Sequence, residues 1–443
     1  MGVSNVGYDP ALQNVVVWVN PVAGDAGAQI GDTYQGDFYR EGCATFRVDP
    51  EHPNQLLTGS GPRPIADWLH MNPYGNAFFL NTVADREKRQ SALLTLLNTI
   101  HYERNAGEAQ PPVLLVSGGD GTSAEAEEAA ATVVGLPPRV LFEDSLGRTE
   151  TKARLAKAPR MAIPRPAGTA CDLTLHLGPM KAGENVVCYL RDCHEAHLPL
   201  SVSSFSGDTY QLTPHTVSFG SVAYLFERAE VTKHNPLFKG STLNYAKEAP
   251  GLLLGKVVAA IARSPELFGQ IQTARKNPVD PFWAHYCVNG ESAVSVYTGD
   301  FLATGLLFIA KGIHNPNPFN DGVVVYFMPA MTPHLLLTLM ESAIRGRWMM
   351  MRHAEQSAWV PGRKFFTLPQ ERRVHLSPGD LLEVNFTQDQ KGEIPREPPC
   401  QINGGPMGNF QKVSIRVTDP YPVLTRSGSL SDQWNQSSHN LGI

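Results

Sequence analysis

Apolar runs alternate with helix-forming segments over the first 165 residues of the chain. Runs such as Val15–Val19 and Val113–Val116 contain no charged residue, which is typical of strands buried on both faces of a parallel sheet. Short strands are also predicted at 76–83 and 160–164, and leucines at helical spacing predict a helix over 85–102. Together these elements predict an open parallel α/β lobe over residues 1–165.

The pattern changes after residue 166. Short β-rich segments separated by polar turns predict a mostly antiparallel second lobe over 166–425. Within the first lobe, residues 31–73 are rich in Gly, Pro and Asp without steady periodicity, so we interpret them as an insertion. The Ser- and Asn-rich tail at 426–443 is predicted to be disordered.

Two of the predicted strands end in glycine-rich turns. Val15–Val19 leads into the sequence NPVAGDAG, and Val113–Val116 leads into SGGDGT, which is followed by the helix-forming sequence SAEAEEAAATVV. A strand, a glycine turn and a helix N-terminus together form a site for anions, because bare backbone N–H groups approach phosphate oxygens there. Asp120 adds one carboxylate to this turn, a combination that suits phosphoryl transfer. The alternative is an ordinary tight turn, since glycine and aspartate are turn residues.

Composition narrows the class of protein. The chain has 443 residues, 42% of them hydrophobic and 18% charged, with a formal net charge of −5, which gives no indication of a nucleic-acid partner. Its 6 cysteines lack zinc-site spacing, so a reducing, cytoplasmic environment is expected. No signal peptide and no membrane-spanning apolar stretch is recognised, so any membrane contact is expected to be peripheral.

A third motif follows the first lobe, and here the sequence resembles a known family. The motif PAGTACD occupies residues 166–172, and Gly168, Thr169 and Asp172 supply a close-approach position, a hydroxyl and a second carboxylate. In order, NPVAG, SGGDGT followed by Glu125, and PAGTACD resemble the motifs of the diacylglycerol kinase catalytic domain superfamily. This superfamily of lipid kinases includes sphingosine and ceramide kinases.

The resemblance implies a fold, a reaction and a set of site residues. The implied fold is an α/β plus β protein: a Rossmann-like nucleotide lobe, as in NAD kinase, and a β-sandwich-like lobe that binds the lipid substrate. ATP and Mg²⁺ would serve transfer of the γ-phosphoryl group to a lipid hydroxyl in a cleft between the lobes. Asp120 and Asp172 would be catalytic, and Asp172 would hold Mg²⁺, directly or through water. The implied nucleotide-binding residues are Asn20, Pro21, Gly24, Gly118, Gly119, Gly121, Thr122, Glu125, Gly168 and Thr169.

The sequence also departs from the family pattern. Ala23 replaces a serine and no lysine follows that turn, although Arg165 offers positive charge nearby. Cys171 replaces an asparagine, and Asn403-Gly404-Gly405 replaces Asp-Gly-Glu, so a glutamate proposed as a base in bacterial relatives is missing. Beside a lipid kinase, these departures leave the alternative of a weak or inactive pseudokinase that binds nucleotide or lipid. The sequence GGDG leaves a second alternative, an enzyme similar to NAD kinase or to a phosphofructokinase-like sugar kinase, because both share it.

Two further regions have a structural and a functional interpretation. Residues 333–352 combine an apolar stripe with arginines, which predicts either a membrane-docking patch or a core helix. Glu127 and Glu128 are expected to lie on a solvated helix face, and His176 is expected to be structural.

Overall fold

The structure is a computed structural model that describes residues 8–9, 12–20, 27–81, 85–103, 110–165, 172–205, 209–213, 215–224, 227, 280–305, 322–328 and 373–426. For residues 27–29, 103, 172 and 175 the structure describes only the backbone. The described residues divide into two compact units. The first unit contains those up to Leu198 and those from Asp419 onward, and the second contains those from Pro199 to Thr418. The expected boundary after residue 165 lies within the first unit.

The elements up to residue 191 are β1 (Val15–Val19), α1 (Gly27–Arg40), β2 (Ala44–Val48), β3 (Gln55–Leu57), β4 (Arg63–Pro64), α2 (Ile65–Met71), β5 (Asn76–Asn81), α3 (Arg86–Glu103), β6 (Val113–Ser117), α4 (Asp120–Val133), α5 (Pro138–Glu143), α6 (Gly147–Leu155), β7 (Arg160–Ala162), α7 (Asp172–Leu177) and α8 (Val186–Arg191). The elements that follow are β8 (Cys193–Phe205), β9 (Thr209–Leu212), β10 (Thr216–Gly220), β11 (Phe282–Val288), β12 (Val294–Thr298), β13 (Asp300–Thr304), β14 (Val323–Met328), β15 (Arg373–Leu376), β16 (Leu381–Thr387), β17 (Pro399–Ile402), β18 (Gly405–Asn409) and β19 (Lys412–Arg426). The long strands β8 and β19 each contribute residues to both units.

The first unit is built on a mainly parallel sheet. Its strand order is β4-β3-β2-β5-β1-β6-β7, and the end of β19 pairs in parallel with β7. Strands β2, β5, β1, β6 and β7 are parallel, whereas β3 and β4 add antiparallel pairs at one edge. All residues of β1 and β6 are buried, because helices cover both faces of such a sheet. The predicted parallel α/β lobe is therefore confirmed.

The region interpreted as an insertion is an integral part of this sheet. Residues 31–73 contain most of α1, together with β2, β3, β4 and α2, and β2 pairs in parallel with β5. Helix α1 buries Ile30, Tyr34 and Phe38 against the odd-numbered residues of β1. The sequence did not predict α1 because three glycines and two aspartates interrupt its apolar spacing, and packing on the sheet stabilises the helix instead.

The second unit contains two antiparallel sheets. One has the order β12-β11-β16-β19, with the β8–β9 pair also joined to β19, and the other has the order β15-β14-β13-β10-β17-β18. A single apolar cluster contains side chains from both sheets, among them Phe219 and Phe301 from one and Phe282 and Phe386 from the other. Side chains of two sheets that interdigitate in one core define a β-sandwich. The predicted β-sandwich-like fold is therefore confirmed.

Some predicted features lie outside the described residues. These are the patch at 333–352 and the tail beyond Arg426, which itself is the last residue of β19. No helix in the described part of the chain is both long and apolar enough to cross a membrane.

Candidate functional site

The sheet of the first unit has a topological switch point between β1 and β6. After β1 the chain goes to β2 and β5 on one side, and after β6 it goes to β7 on the other side. In open α/β sheets ligands bind beyond the carboxyl ends of the strands at such a point. The two glycine-rich turns that the sequence singles out follow β1 and β6, so they begin at this switch point.

Asn20 joins the two turns. Its side-chain Nδ2 donates to Thr122 Oγ1 at 2.9 Å, and its backbone N–H donates to the Ser117 carbonyl at 3.1 Å. Both Asn20 and Thr122 are buried. These two residues, predicted as nucleotide-binding from separate motifs, are thus in direct contact. Of the remaining residues predicted in the first turn, Pro21 and Gly24 lie outside the described residues.

The turn after β6 is compact because of Gly118. A Cβ atom at this position would lie 2.5 Å from Thr122 Cβ and 2.7 Å from its Oγ1, so a larger residue does not fit beside Thr122. Gly119 caps α4 in an extended conformation, and Asp120, Gly121 and Thr122 form the first helical turn. The N–H groups of a first helical turn have no intrahelical acceptor, and the helix dipole favours an anion beside them. The geometry is that of a turn suited to phosphate, and phosphate binding by it stays a prediction.

Asp120 lies beside the N-terminus of α7. The Leu173 backbone N–H donates to Asp120 Oδ1 at 3.3 Å, across 53 residues of sequence. Leu173 directly follows Asp172, so the Asp120 side chain contacts the backbone next to the second predicted catalytic aspartate. The side chain of Asp172 and the residues Gly168 and Thr169 lie outside what the structure describes, and their roles stay predictions.

Glu125 is engaged by two arginines of α3. Arg89 Nε and Nη2 donate to its two carboxylate oxygens, each at 2.9 Å, and Arg86 Nε lies 3.3 Å from Oε1. Arg89 and Glu125 are both buried, so this bidentate pair fastens α4 to α3 behind the glycine turn. The structure gives Glu125 this position between two helices, and contact with a nucleotide stays a prediction. No spacing in the sequence connects Arg89 with Glu125, because they lie on separate helices.

The next turn of α4 corrects another expectation. Glu127 is 0% exposed rather than solvated, and burial raises the pKa of its carboxyl well above the usual value. Glu128 is partly buried, and its Oε1 accepts from Gln90 Nε2 at 2.8 Å. The expectation of a solvated face was wrong because α3 packs on α4 at Glu128, whereas Glu127 lies near Tyr421 of β19 and interacts with it electrostatically.

Asn403 has a structural role in the second unit. It and Gly404 have φ angles of 49° and 86° and connect β17 to β18, as in a two-residue type I′ hairpin turn. Its side-chain Oδ1 accepts from the His215 and Thr216 backbone N–H groups at 3.3 Å, and its Nδ2 donates to the Leu212 carbonyl at 3.2 Å. The side-chain amide of Asn403 is thus hydrogen-bonded to backbone groups, and Gly405 has no side chain that could accept a proton.

The described residues are suited to bind Mg²⁺ only together with a phosphate ligand that supplies further oxygen atoms. They contain no group of three or more His, Cys, Asp or Glu side chains arranged to hold a metal ion. Mg²⁺ beside a nucleotide needs only one or two carboxylates, because phosphate oxygens and waters complete its octahedron. Asp120, at the glycine turn, provides such a carboxylate.

Fold and site together define a class of protein: a parallel α/β unit with phosphate-binding geometry at its switch point, combined with a β-sandwich unit. No family model matches the sequence, and no curated protein sequence matches it. Among solved structures, the chain is similar to a diacylglycerol kinase from Bacillus anthracis, with a TM-score of 0.47 and 12% identity over 95% of this chain and 99% of that chain. It is also similar to yeast NADH kinase in complex with NADH, with a TM-score of 0.40 and 8% identity over 98% of this chain and 88% of that chain. Kinases of the type whose motifs the sequence resembles are thus among the structures similar to it.

Proposed function

We propose that the chain is an ATP-dependent kinase that transfers the γ-phosphoryl group to a hydroxyl of a diacylglycerol- or ceramide-like lipid. The observation that carries the proposal is the contact between Asn20 and Thr122 at the switch point. It brings together two glycine-rich turns, one of which also contains a carboxylate, Asp120. Positioning and charge neutralisation provide most of the catalysis in phosphoryl transfer, and this site contains residues suited to both.

In this proposal each part of the site has a separate task. The first amides of α4 hold phosphate oxygens, and the Asn20–Thr122 contact keeps the turn in place. Asp120 accepts the proton of the attacking hydroxyl or holds Mg²⁺, with Asp172 as the second carboxylate. Bound Mg²⁺ would neutralise the charge that develops on the phosphoryl oxygens. The lipid acceptor is inferred from the motif PAGTACD, and an acceptor of this kind implies peripheral contact with a membrane surface from the cytoplasm.

The test is transfer of radiolabelled phosphate from ATP, with Mg²⁺, to lipids in mixed micelles. The panel contains diacylglycerol, ceramide and sphingosine, and NAD is tested without lipid or detergent. We expect a phosphorylated neutral lipid, and we expect Asp120→Asn to reduce the rate about 10²–10⁴-fold, which is the usual contribution of a proton acceptor. Glu143→Gln is the matched control, because Glu143 is half-exposed and its ion pair, among the described residues, is with Arg139 on its own helix.

Wild-type protein that phosphorylates none of these lipids would overturn the proposal. The alternative of a nucleotide-binding pseudokinase would then be favoured. It is supported by the hydrogen bonds of the Asn403 amide to the backbone and by the absence of a side chain at Gly405. Formation of NADP without lipid would instead favour the alternative related to NAD kinase. Sphingosine as the only acceptor would contradict the neutral-lipid assignment.

A further inference from the structure

Arg165 leaves the sheet beside the glycine turn. Strands β6 and β7 are parallel neighbours, with Leu115 paired to Ala162. Three residues further along each strand, the same register brings Gly118 and Arg165 to the same carboxyl edge. Neighbouring strands are about 4.8 Å apart. Arg165 therefore extends from the edge where the phosphate-binding turn begins.

The guanidinium of Arg165 is held by an aromatic ring. Its Cζ lies 5.8 Å from the centroid of Tyr34, within the range of a cation–π contact. Tyr34 is 0% exposed on α1, so the ring is a fixed support. Within the described part of the chain, no carboxylate forms an ion pair with Arg165. Asp37, one turn after Tyr34, is occupied by Arg40 and by the Val186 N–H.

Two other arginines of the first unit are paired with carboxylates. Arg89 is paired with Glu125, and Arg160, at the start of β7, donates from Nε to Glu195 at 2.7 Å. The glycine turn itself brings the negative charge of Asp120. A bound triphosphate would add several more negative charges to this site, so a cation is needed there, and Arg165 is positioned to supply it.

Two buried polar atoms on the same face of the sheet also lack a hydrogen-bond partner among the described residues. Ser117, the last residue of β6, is 1% exposed, and its Oγ has no such partner. It is paired with Val19, which packs against α1, so its side chain lies on the face that Tyr34 covers. The Tyr34 hydroxyl is likewise without a hydrogen-bond partner in the described part. Buried polar atoms are normally satisfied, so both indicate that this face accommodates a polar ligand.

We propose that Arg165, supported by the ring of Tyr34, is a phosphate-binding residue that contacts the terminal phosphates of the nucleotide. This inference rests on the proposed function and adds a residue that the glycine motifs do not contain. Arginine suits this task, because its planar guanidinium forms two parallel hydrogen bonds to a phosphate group and is less strongly hydrated than an ammonium group. The ring of Tyr34 reduces the orientational freedom that would be lost on binding.

The test is calorimetric binding of two probes, the non-hydrolysable analogue AMP-PNP with Mg²⁺ and inorganic triphosphate, with adenosine for comparison. Arg165→Ala is expected to weaken binding of both phosphate probes about 10- to 100-fold and to leave adenosine binding unchanged. Arg165→Lys should restore part of the affinity, and Tyr34→Leu should lose part of it, whereas Tyr34→Phe, which keeps the ring, should lose less. Arg63→Ala is the matched control, since Arg63 is an exposed arginine on edge strand β4.

The outcomes separate this inference from the proposed function. Equal triphosphate affinity of wild type and Arg165→Ala overturns the role of Arg165. If Arg165→Ala does not fold, Arg165→Lys decides, since equal AMP-PNP affinity of this variant and wild type would exclude bidentate phosphate binding. If phosphate-dependent binding requires Arg165 but no lipid is phosphorylated, the phosphate-binding role of Arg165 is supported and the proposed lipid kinase activity is overturned. Failure of folded wild type to bind AMP-PNP would overturn both.

Discussion

Asn20 and Thr122, 102 residues apart in sequence, share a buried hydrogen bond at the carboxyl ends of two adjacent parallel strands. Asn20 is 8% exposed and Thr122 is 6% exposed. A buried hydrogen bond fixes its partners because the alternative is an unsatisfied polar atom. This contact therefore fixes the residue that follows β1 against the first turn of α4.

Replacing Thr122 by an isosteric apolar residue is expected to weaken both the fold and the site. Thr122→Val removes the acceptor of the Asn20 amide and should lower the free energy of unfolding by about 1–3 kcal/mol. It should also reduce affinity for AMP-PNP. Thr122→Ser keeps the hydroxyl and is the control. Urea denaturation and calorimetry measure the two effects, and a Thr122→Val protein with the stability and affinity of wild type would contradict the importance of this contact.

The ion pair between Arg89 and Glu125 predicts a loss of stability. Glu125→Gln leaves the buried guanidinium of Arg89 without its charge partner, and the expected cost is about 3–5 kcal/mol of unfolding free energy. The double variant Arg89→Leu/Glu125→Leu should lose less than the sum of the single variants, because no unpaired charge is buried. Denaturant titration measures all three. Unchanged stability of Glu125→Gln together with weaker nucleotide binding would instead show that Glu125 acts on the ligand.

His176 predicts a dependence of stability on pH. It is 2% exposed on α7, both ring nitrogens lack a hydrogen-bond partner in the described part, and burial lowers its pKa to about 4. Between pH 6.5 and 4 the unfolded state binds a proton that the folded state does not. The contribution of His176 is therefore fully present above pH 6.5 and is lost as the pH falls, by up to about 3 kcal/mol. In urea titrations from pH 7 to 4, the stability of His176→Leu should depend less on pH than that of wild type. An equally steep dependence in both proteins would argue against a neutral buried histidine.

The hairpin between β17 and β18 offers a comparison of adjacent glycines. Gly404 has a φ of 86°, so Gly404→Ala should cost about 1–2 kcal/mol of unfolding free energy. A Cβ at Gly405 would have the Ile402 carbonyl oxygen as its nearest contact, at 3.5 Å, so Gly405→Ala should change stability by less than about 0.5 kcal/mol. Thermal unfolding of both variants measures the difference. Equal losses of stability in the two variants would show that the positive φ angle of Gly404 does not make this position more sensitive than position 405.

Strongly patterned segments were the ones that the sequence predicted well. The buried strands β1 and β6 coincide with uninterrupted apolar runs, and the glycine turn after β6 lies where it was expected. Helix α1 was missed because its apolar residues Ile30, Tyr34 and Phe38 are separated by glycines and aspartates, so its stability comes from the sheet it covers. The buried state of Glu127 was missed for a similar reason, since nothing in this Glu- and Ala-rich sequence indicates which positions of the helix other elements will cover.

The chain by itself determined the two kinds of folding unit and the positions of the glycine turns, because strand burial and turn chemistry are local properties of residue type. Only the tertiary structure decided which residues meet at the switch point. The Asn20–Thr122 contact, the engagement of Glu125 by Arg89, the support of Arg165 by Tyr34 and the commitment of the Asn403 amide all depend on strand order and helix packing. Those contacts join residues far apart in sequence, and no local spacing encodes them.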